Sequence, residues 1–269
     1  MACKMKQRWA SRCREVSLLM LLGVYSLSIN GMSLTTQTMQ AQESVATKTE
    51  YPKITKIIPE IGATDVDSGL KEIRVTFDRK MDGGMSWTGG PPLFPPKDAD
   101  RQAQWLDDQT CILPVKLESG HFYRLSLNSK SFQNFKSVEG TALPPVILYF
   151  VTAGSDSEIT KRARVPKVVD LEPNKGAESV DPSRTELRIT FDVPMGEGMS
   201  WTGGGETFPK LTPGQSAVWS KDKKQCTLPV KLEPGRTYRL GINSLHHQNF
   251  QSEWGVPAAP VEYFFTTAK

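Results

Sequence analysis

The chain has 269 residues, 38% of them hydrophobic and 23% charged, the balance of ordinary globular protein and long enough for two domains of about 100 residues with cores of their own. The net charge of +4 lies wholly in residues 1–15, where Lys4, Lys6, Arg8, Arg12 and Arg14 face Glu15 alone; residues 16–42 are uncharged and the remainder is neutral. The high isoelectric point therefore makes no case for nucleic acid or for an anionic membrane surface as partner.

The basic start is followed by an apolar run, Val16 to Ile29, of 14 residues. That length suits the hydrophobic stretch of a secretory signal and is short of the ~20 residues of a membrane span. Cleavage after Ser33, or alternatively after Ala41, leaves residues 1–33 as a signal peptide. An uncleaved anchor is the alternative, and membrane contact is then confined to this N-terminal segment. Neither Cys3 nor Cys13 follows the apolar run, so no lipid-attachment site is expected. Residues 34–51 are polar, rich in Thr and Gln, and read as a flexible tether.

From there the sequence is written twice. Each copy opens with a short extended run closed by proline, Ile54 to Pro59 and Val168 to Pro173, then a Gly-Ala turn at Gly62-Ala63 and Gly176-Ala177. An alternating strand follows: Ile73, Val75 and Phe77 on one face, matched by Leu187, Ile189 and Phe191. Period-two alternation predicts a sheet with one buried face. Next comes Gly84-Met85-Ser86-Trp87-Thr88-Gly89-Gly90, repeated at Gly198 to Gly204, with Trp87 and Trp201 standing 114 residues apart. Its glycines argue against a helix or a regular strand. A period this long marks a duplicated domain rather than a solenoid unit of roughly 20–50 residues.

The strand Cys111 to Leu117, matched by Cys226 to Leu232, contains Pro114 or Pro229, which predicts an edge strand or a bulge. Tyr123, Leu125 and Leu127 then share a face, as do Tyr238, Leu240 and Ile242. Gln133-Asn134-Phe135 and Gln248-Asn249-Phe250 follow, and an apolar strand, Val146 to Thr152 or Val261 to Thr267, closes each copy. Residues 154–165 are polar and read as a linker between domains at 52–153 and 166–268.

Short strands, frequent turns and no amphipathic helix predict an all-β chain of two tandem immunoglobulin-like β-sandwiches, with a small barrel as the competitor. The proline-ended first strand, the Gly-Ala turn, Val75-Thr76-Phe77-Asp78 ending at Met81, and the terminal Phe150-Val151-Thr152 resemble the bacterial Ig-like domains of the SbsA type. The resemblance covers nearly all of both copies. It implies an extracellular module and no family-wide catalytic residues, and this chain departs from the appended arrangement in carrying no enzyme domain.

The residues that invite chemistry are few. Cys111 and Cys226 share faces with apolar residues and are expected to be buried, unpaired thiols. His121, His246 and His247 are not matched between copies and converge on no ligand set, so neither metal nor cofactor is expected. Asp67/Asp181 and Asp78/Asp192 recur, but without the dense carboxylates of a calcium site they read as turn caps. Ser86 and Ser200 fail the nucleophile-elbow pattern, because Thr follows where Gly is needed and no shared His offers a base. No catalytic residue is assigned.

One candidate surface remains. Trp87 and Trp201 could stack a sugar ring, with Asn128, Asn243, Asn134 and Asn249 bonding its hydroxyls. The competing account folds the loop back, with Met81, Trp87 and Phe94 packed on the sandwich and the Asn amides serving loop backbone. The expectation is an exported, non-enzymatic module of periplasm, cell surface or extracellular space. Its partners would be envelope polysaccharide or another extracellular protein. The alternatives are a carbohydrate-binding module and an accessory subunit of a secreted enzyme.

Overall fold

A computed structural model describes residues 50–269. The expected signal peptide and tether lie outside the described residues, apart from Glu50 and Tyr51. The first copy forms β1 (Ile54–Ile58), β2 (Glu72–Phe77), β3 (Trp87–Thr88), β4 (Gln104–Trp105), β5 (Thr110–Pro114), β6 (Phe122–Leu127) and β7 (Val146–Val151). A short helix α1 (Ser157–Lys161) follows. The second copy forms β8 (Val168–Glu172), β9 (Glu186–Phe191), β10 (Trp201–Thr202), β11 (Lys210–Leu211), β12 (Val218–Trp219), β13 (Gln225–Lys231), β14 (Thr237–Ile242) and β15 (Val261–Thr266).

Each copy is a sandwich of two antiparallel sheets. The first pairs β1-β2-β5-β4 with β3-β6-β7. The second pairs a sheet of β8, β9, β13, β11 and β12 with β10-β14-β15. The alternation read in the sequence sets the register: Ile73 lies opposite Leu113 and Val75 opposite Cys111. Leu187 and Ile189 repeat this against Leu228 and Cys226. Ile73, Val75 and Phe77 on one sheet, and Tyr123, Leu125 and Leu127 on the other, are buried and face each other across the core.

Two expectations change. The strand with the internal proline is interior, because β5 lies between β2 and β4. Pro114 is tolerated there because β4 pairs only with Cys111 and Ile112, so the proline sits past the end of that neighbour. The glycine-rich stretch also contains a two-residue strand, since Trp87 and Thr88 pair with Leu127 and Ser126.

Residues 154–165 are not merely a spacer. Asp156 caps α1 by accepting from Ile159 N at 2.8 Å. Ala163 is buried in an apolar cluster with Phe122, Tyr149, Val151 and Val256, against which Ile159 and Trp254 also pack. That cluster joins the two sandwiches. Phe122, Arg124, Tyr149 and Val151 belong to the outer face of β6 and β7, and Trp254-Gly255-Val256 is a turn of the second sandwich. Arg124 Nε donates to Gly255 O at 2.8 Å and Arg124 Nη2 to Gln251 Oε1 at 3.2 Å. Gln248 Nε2 reaches Pro145 O at 3.2 Å. The matching face of the second sandwich is different in kind. It carries Thr237, an Arg239–Glu262 pair at 3.0 Å, and Phe264.

Candidate functional site

The Met-Trp-Gly loop is tied down from several sides. Met81 is buried and forms an isolated antiparallel bridge with Ser137, as Met195 does with Ser252. Gly84 passes so close to the chain that an added Cβ would lie 2.6 Å from Asn134 O; at Gly198 the corresponding contact is 2.8 Å from Asn249 O. Ser86 is buried and its Oγ accepts from Asn134 N at 3.1 Å, while Ser200 Oγ accepts from Asn249 N at 3.0 Å. These serines hold loop to loop.

Asn128 and Asn243 sit at the centre of the clamp. Both take the left-handed conformation, with φ of 59°, which asparagine tolerates better than most residues. Asn128 Nδ2 donates to Phe135 O at 2.9 Å and Leu143 O at 2.8 Å, and its Oδ1 accepts from Phe135 N at 3.0 Å. Asn243 makes the same three bonds, to Phe250 O, Ala258 O and Phe250 N. Both side chains are buried, so their amides serve the backbone of their own loops.

The aromatic residues converge on Phe135 and Phe250, both fully buried. Trp87 meets Phe135 edge to face at 5.3 Å, and Trp105 meets it at 5.9 Å. Trp201 and Trp219 meet Phe250 at 5.7 and 5.8 Å. Trp87 and Trp201 are half-buried, with their indole nitrogens inside. Trp105 Nε1, by contrast, donates to Gly83 O at 2.7 Å.

Trp87 also lines a shallow cleft of about 370 Å³ with Gly89, Gly90, Pro91, Phe94, Pro95 and Lys97. Asn134 is not among its lining residues. Asn134 and Asn249 are exposed, and Asn134 Nδ2 approaches Met85 O at 3.5 Å. Trp87 and Phe94 are thus brought together, while Asn128 serves the loop that follows β6 and Asn134, on that loop, reaches back to Met85 O.

Cys111 and Cys226 are buried free thiols. Burial pushes the Cys111 thiol up to about 12 and the Cys226 thiol to about 11, against a smaller opposing influence of the Trp87 and Trp201 indoles. Asp78 accepts from Lys53 N at 2.9 Å, and Asp192 accepts from Lys167 N at 2.8 Å. Hydrogen bonding to Arg79, above all, holds Asp78 down to about 2. Asp67 and Asp181 accept from Gly69 N and Ser183 N, as turn caps do. Among the described residues, no three His, Cys, Asp or Glu side chains are grouped closely enough to hold a metal.

Two further features were not singled out in the sequence. One is the joint residue Arg124; beside it stands Trp254, which the sequence marks as present only in the second copy, opposite Glu139, and over whose ring Arg162 stacks at 4.0 Å. The signal was the mismatch of Trp254 with Glu139 in the first copy. The other is an apolar groove of about 480 Å³, lined by Tyr51 to Ile57, Ile61, Leu143, Pro144, Val146 and Leu245 with Glu50 at its end.

No protein-family model matches the chain, and no curated protein matches it. Among solved structures, the S-layer protein rSbsC is similar at 21% identity with a TM-score of 0.27, over 41% of this chain and 14% of that one. This chain therefore spans only a small part of that protein's length. A chimeric titin Z1Z2-Z1Z2 tandem is similar at 10% identity with a TM-score of 0.30, over 81% of this chain and 98% of that one. A protein crystallised with a xylogluco-oligosaccharide is similar at 11% identity with a TM-score of 0.23, over 80% of this chain and 40% of that one. At such scores these likenesses carry no argument about what the chain does.

Proposed function

We propose that the chain is an exported, non-enzymatic module of the envelope or extracellular space that binds or positions a partner. In this reading residues 1–33 are a cleaved signal, 34–51 a tether, and 52–153 and 166–268 two Ig-like domains of the SbsA type. Envelope polysaccharide or another extracellular protein is the partner.

One observation carries the reading. The polar residues written into both copies, Ser86/Ser200, Asn128/Asn243 and Asp78/Asp192, bond the chain's own backbone. Catalysis needs a nucleophile or base free to meet a substrate, and these groups are occupied in building loops.

A carbohydrate-binding role is the second reading, favoured by the shallow cleft beside Trp87 and Phe94. A sugar there would rely on the aromatic rings, because the Asn128 and Asn243 amides are engaged. The test is binding of the full chain to an envelope fraction and its purified polysaccharides, beside Trp87→Phe/Trp201→Phe, with folding followed by circular dichroism. Wild-type binding that survives in the folded variant is expected. Loss of binding in a folded variant moves the site to the loop aromatics. Turnover of the polysaccharide, with no stable binding, overturns the non-enzymatic reading. Co-purification of a secreted enzyme identifies an accessory subunit instead.

A further inference from the structure

The two copies differ most informatively where one places lysine and the other an exposed apolar side chain. Ile61 corresponds to Lys175, and Leu245 corresponds to Lys130. Ile61 and Leu245 are 44% and 53% exposed, and Tyr51 is 41% exposed. Yet these three residues, from distant parts of the sequence and from both sandwiches, line one groove. A scattered exposed hydrophobe needs no explanation, but three converging on a cavity do.

The groove has a direction. Its floor and rim include every residue from Glu50 to Ile57, a run of roughly 23 Å in extended chain. β1 ends its sheet, with β2 as its one strand neighbour. Across the groove β7 also ends its sheet. Its second half is covered by the turn after β1, through Gly62 N to Tyr149 O at 2.7 Å and Val66 N to Val151 O at 3.0 Å. Its first half, beside Leu143, Pro144 and Val146, opens on the groove. The cavity thus lies between two strand edges that have backbone groups to offer, over an apolar floor.

The groove is also continuous with the joint. Leu245 overhangs it from the second sandwich, the Tyr51 and His246 rings meet at 4.9 Å, and Gln248 bonds Pro145 beside it. On the strand side, Lys53 pairs with Glu50, while Lys56 stands outside every ion pair of the described residues. The second copy has Asp170 at the position of Lys56. The bulge between Ile54 and Lys56 bends the edge, which discourages a whole flat sheet from adding there and leaves room for a single strand.

We propose that this groove receives an extended peptide segment of a partner protein, with alternate apolar side chains in the cavity and an acidic side chain beside Lys56. Backbone bonds to the edge of β1 hold the segment, and Tyr51, Ile61 and Leu245 select its side chains. The proposal rests on the reading of the chain as a binding module and gives that module a partner class.

The test selects peptides from a random library on the full-length chain, then measures labelled winners against wild type and Ile61→Lys/Leu245→Lys. Both substitutions place at the site the lysine that the other copy carries at the matching position, and an unchanged melting temperature is the check that the fold tolerates them. Alternating apolar peptides with an acidic residue are expected, binding roughly tenfold or more weakly to the double variant. Lys56→Glu should weaken the same peptides, and peptide binding should slow amide exchange in Ile54–Ile58.

Failure to select any peptide, or winners indifferent to the double variant, overturns the proposal. So does a dimer of the wild-type chain that the double variant dissociates, which gives the groove to a second copy. Protection of β1 in the free full-length chain that is lost on deleting residues 34–49 gives it to the chain itself. Each failure leaves polysaccharide binding by the folded chain intact as evidence for the module reading.

Discussion

Asn128 and Asn243 show how much of a loop one side chain can hold. Replacing Asn128 with alanine leaves Leu143 O and Phe135 N without the amide, while Phe135 O keeps Leu143 N, and it places at φ of 59° a residue that tolerates the left-handed region less well than asparagine; Asn243 stands the same way to Ala258 O and Phe250 N. Asn128→Ala should cost about 2–4 kcal/mol of stability, read from chemical denaturation. A cost near zero would mean that water replaces the amide. Cys111 and Cys226 should resist thiol reagents in the native chain at neutral pH and react after denaturation, with peptide mapping to separate them from Cys3 and Cys13. Their folded pKa values lie above the ordinary 9.0, so their contribution to stability is complete below that pH and is lost as pH rises toward about 12 and about 11. Asp78 has the opposite sign. Its folded value of about 2 lies below the ordinary 3.8, so its contribution is present above 3.8 and is lost as pH falls through about 2. Asp78→Asn should remove that part of the acid dependence, and a melting series across the window will show it.

Among the elements, the alternating strands were plain in the sequence because a half-buried sheet writes its period into every second residue. Ile73, Val75 and Phe77 could hardly be read otherwise. The proline strand was misplaced because a sequence does not say how far a neighbouring strand extends. β4 pairs with two residues of β5, and that brevity makes room for Pro114. The loop offered two accounts, and the residues divide between them. Asn128 and Asn243 serve backbone, which only three-dimensional return of the chain could reveal, while Trp87 keeps one side on a cleft. Gly84 belongs to this scale as well. Gly84→Ala would drive a Cβ into Asn134 O and should pry the loop from its neighbour, at a cost of about 1–3 kcal/mol. Faster amide exchange confined to the loop and the segment after β6 is the expected signature.

At the scale of the whole molecule, the joint decides whether the two sandwiches move together. Arg124→Ala/Trp254→Ala should leave each core intact and free the sandwiches from one another. NMR relaxation would then give two tumbling times where wild type gives one. Equal tumbling in the double variant would assign the coupling to α1 and Ala163 instead. The joint was barely legible beforehand because it depends on differences between the copies. Arg124 is common to both, but Ile147 replaces the carboxylate that Glu262 supplies to Arg239, so only one of the two arginines is free to cross over.

That asymmetry bears on counting. A contact in which a turn of one unit seats on the sheet of the unit before it is directional, and directional contacts between like units grow into fibres unless something stops them. Here the next landing site holds an ion pair and threonines instead of Phe122 and Val151, and the turn that would be offered from the other end carries Glu139 instead of Trp254. Both ends of the pair are blunted by substitutions at the same few positions. The duplication thus carries a joint that neither of its outward faces repeats.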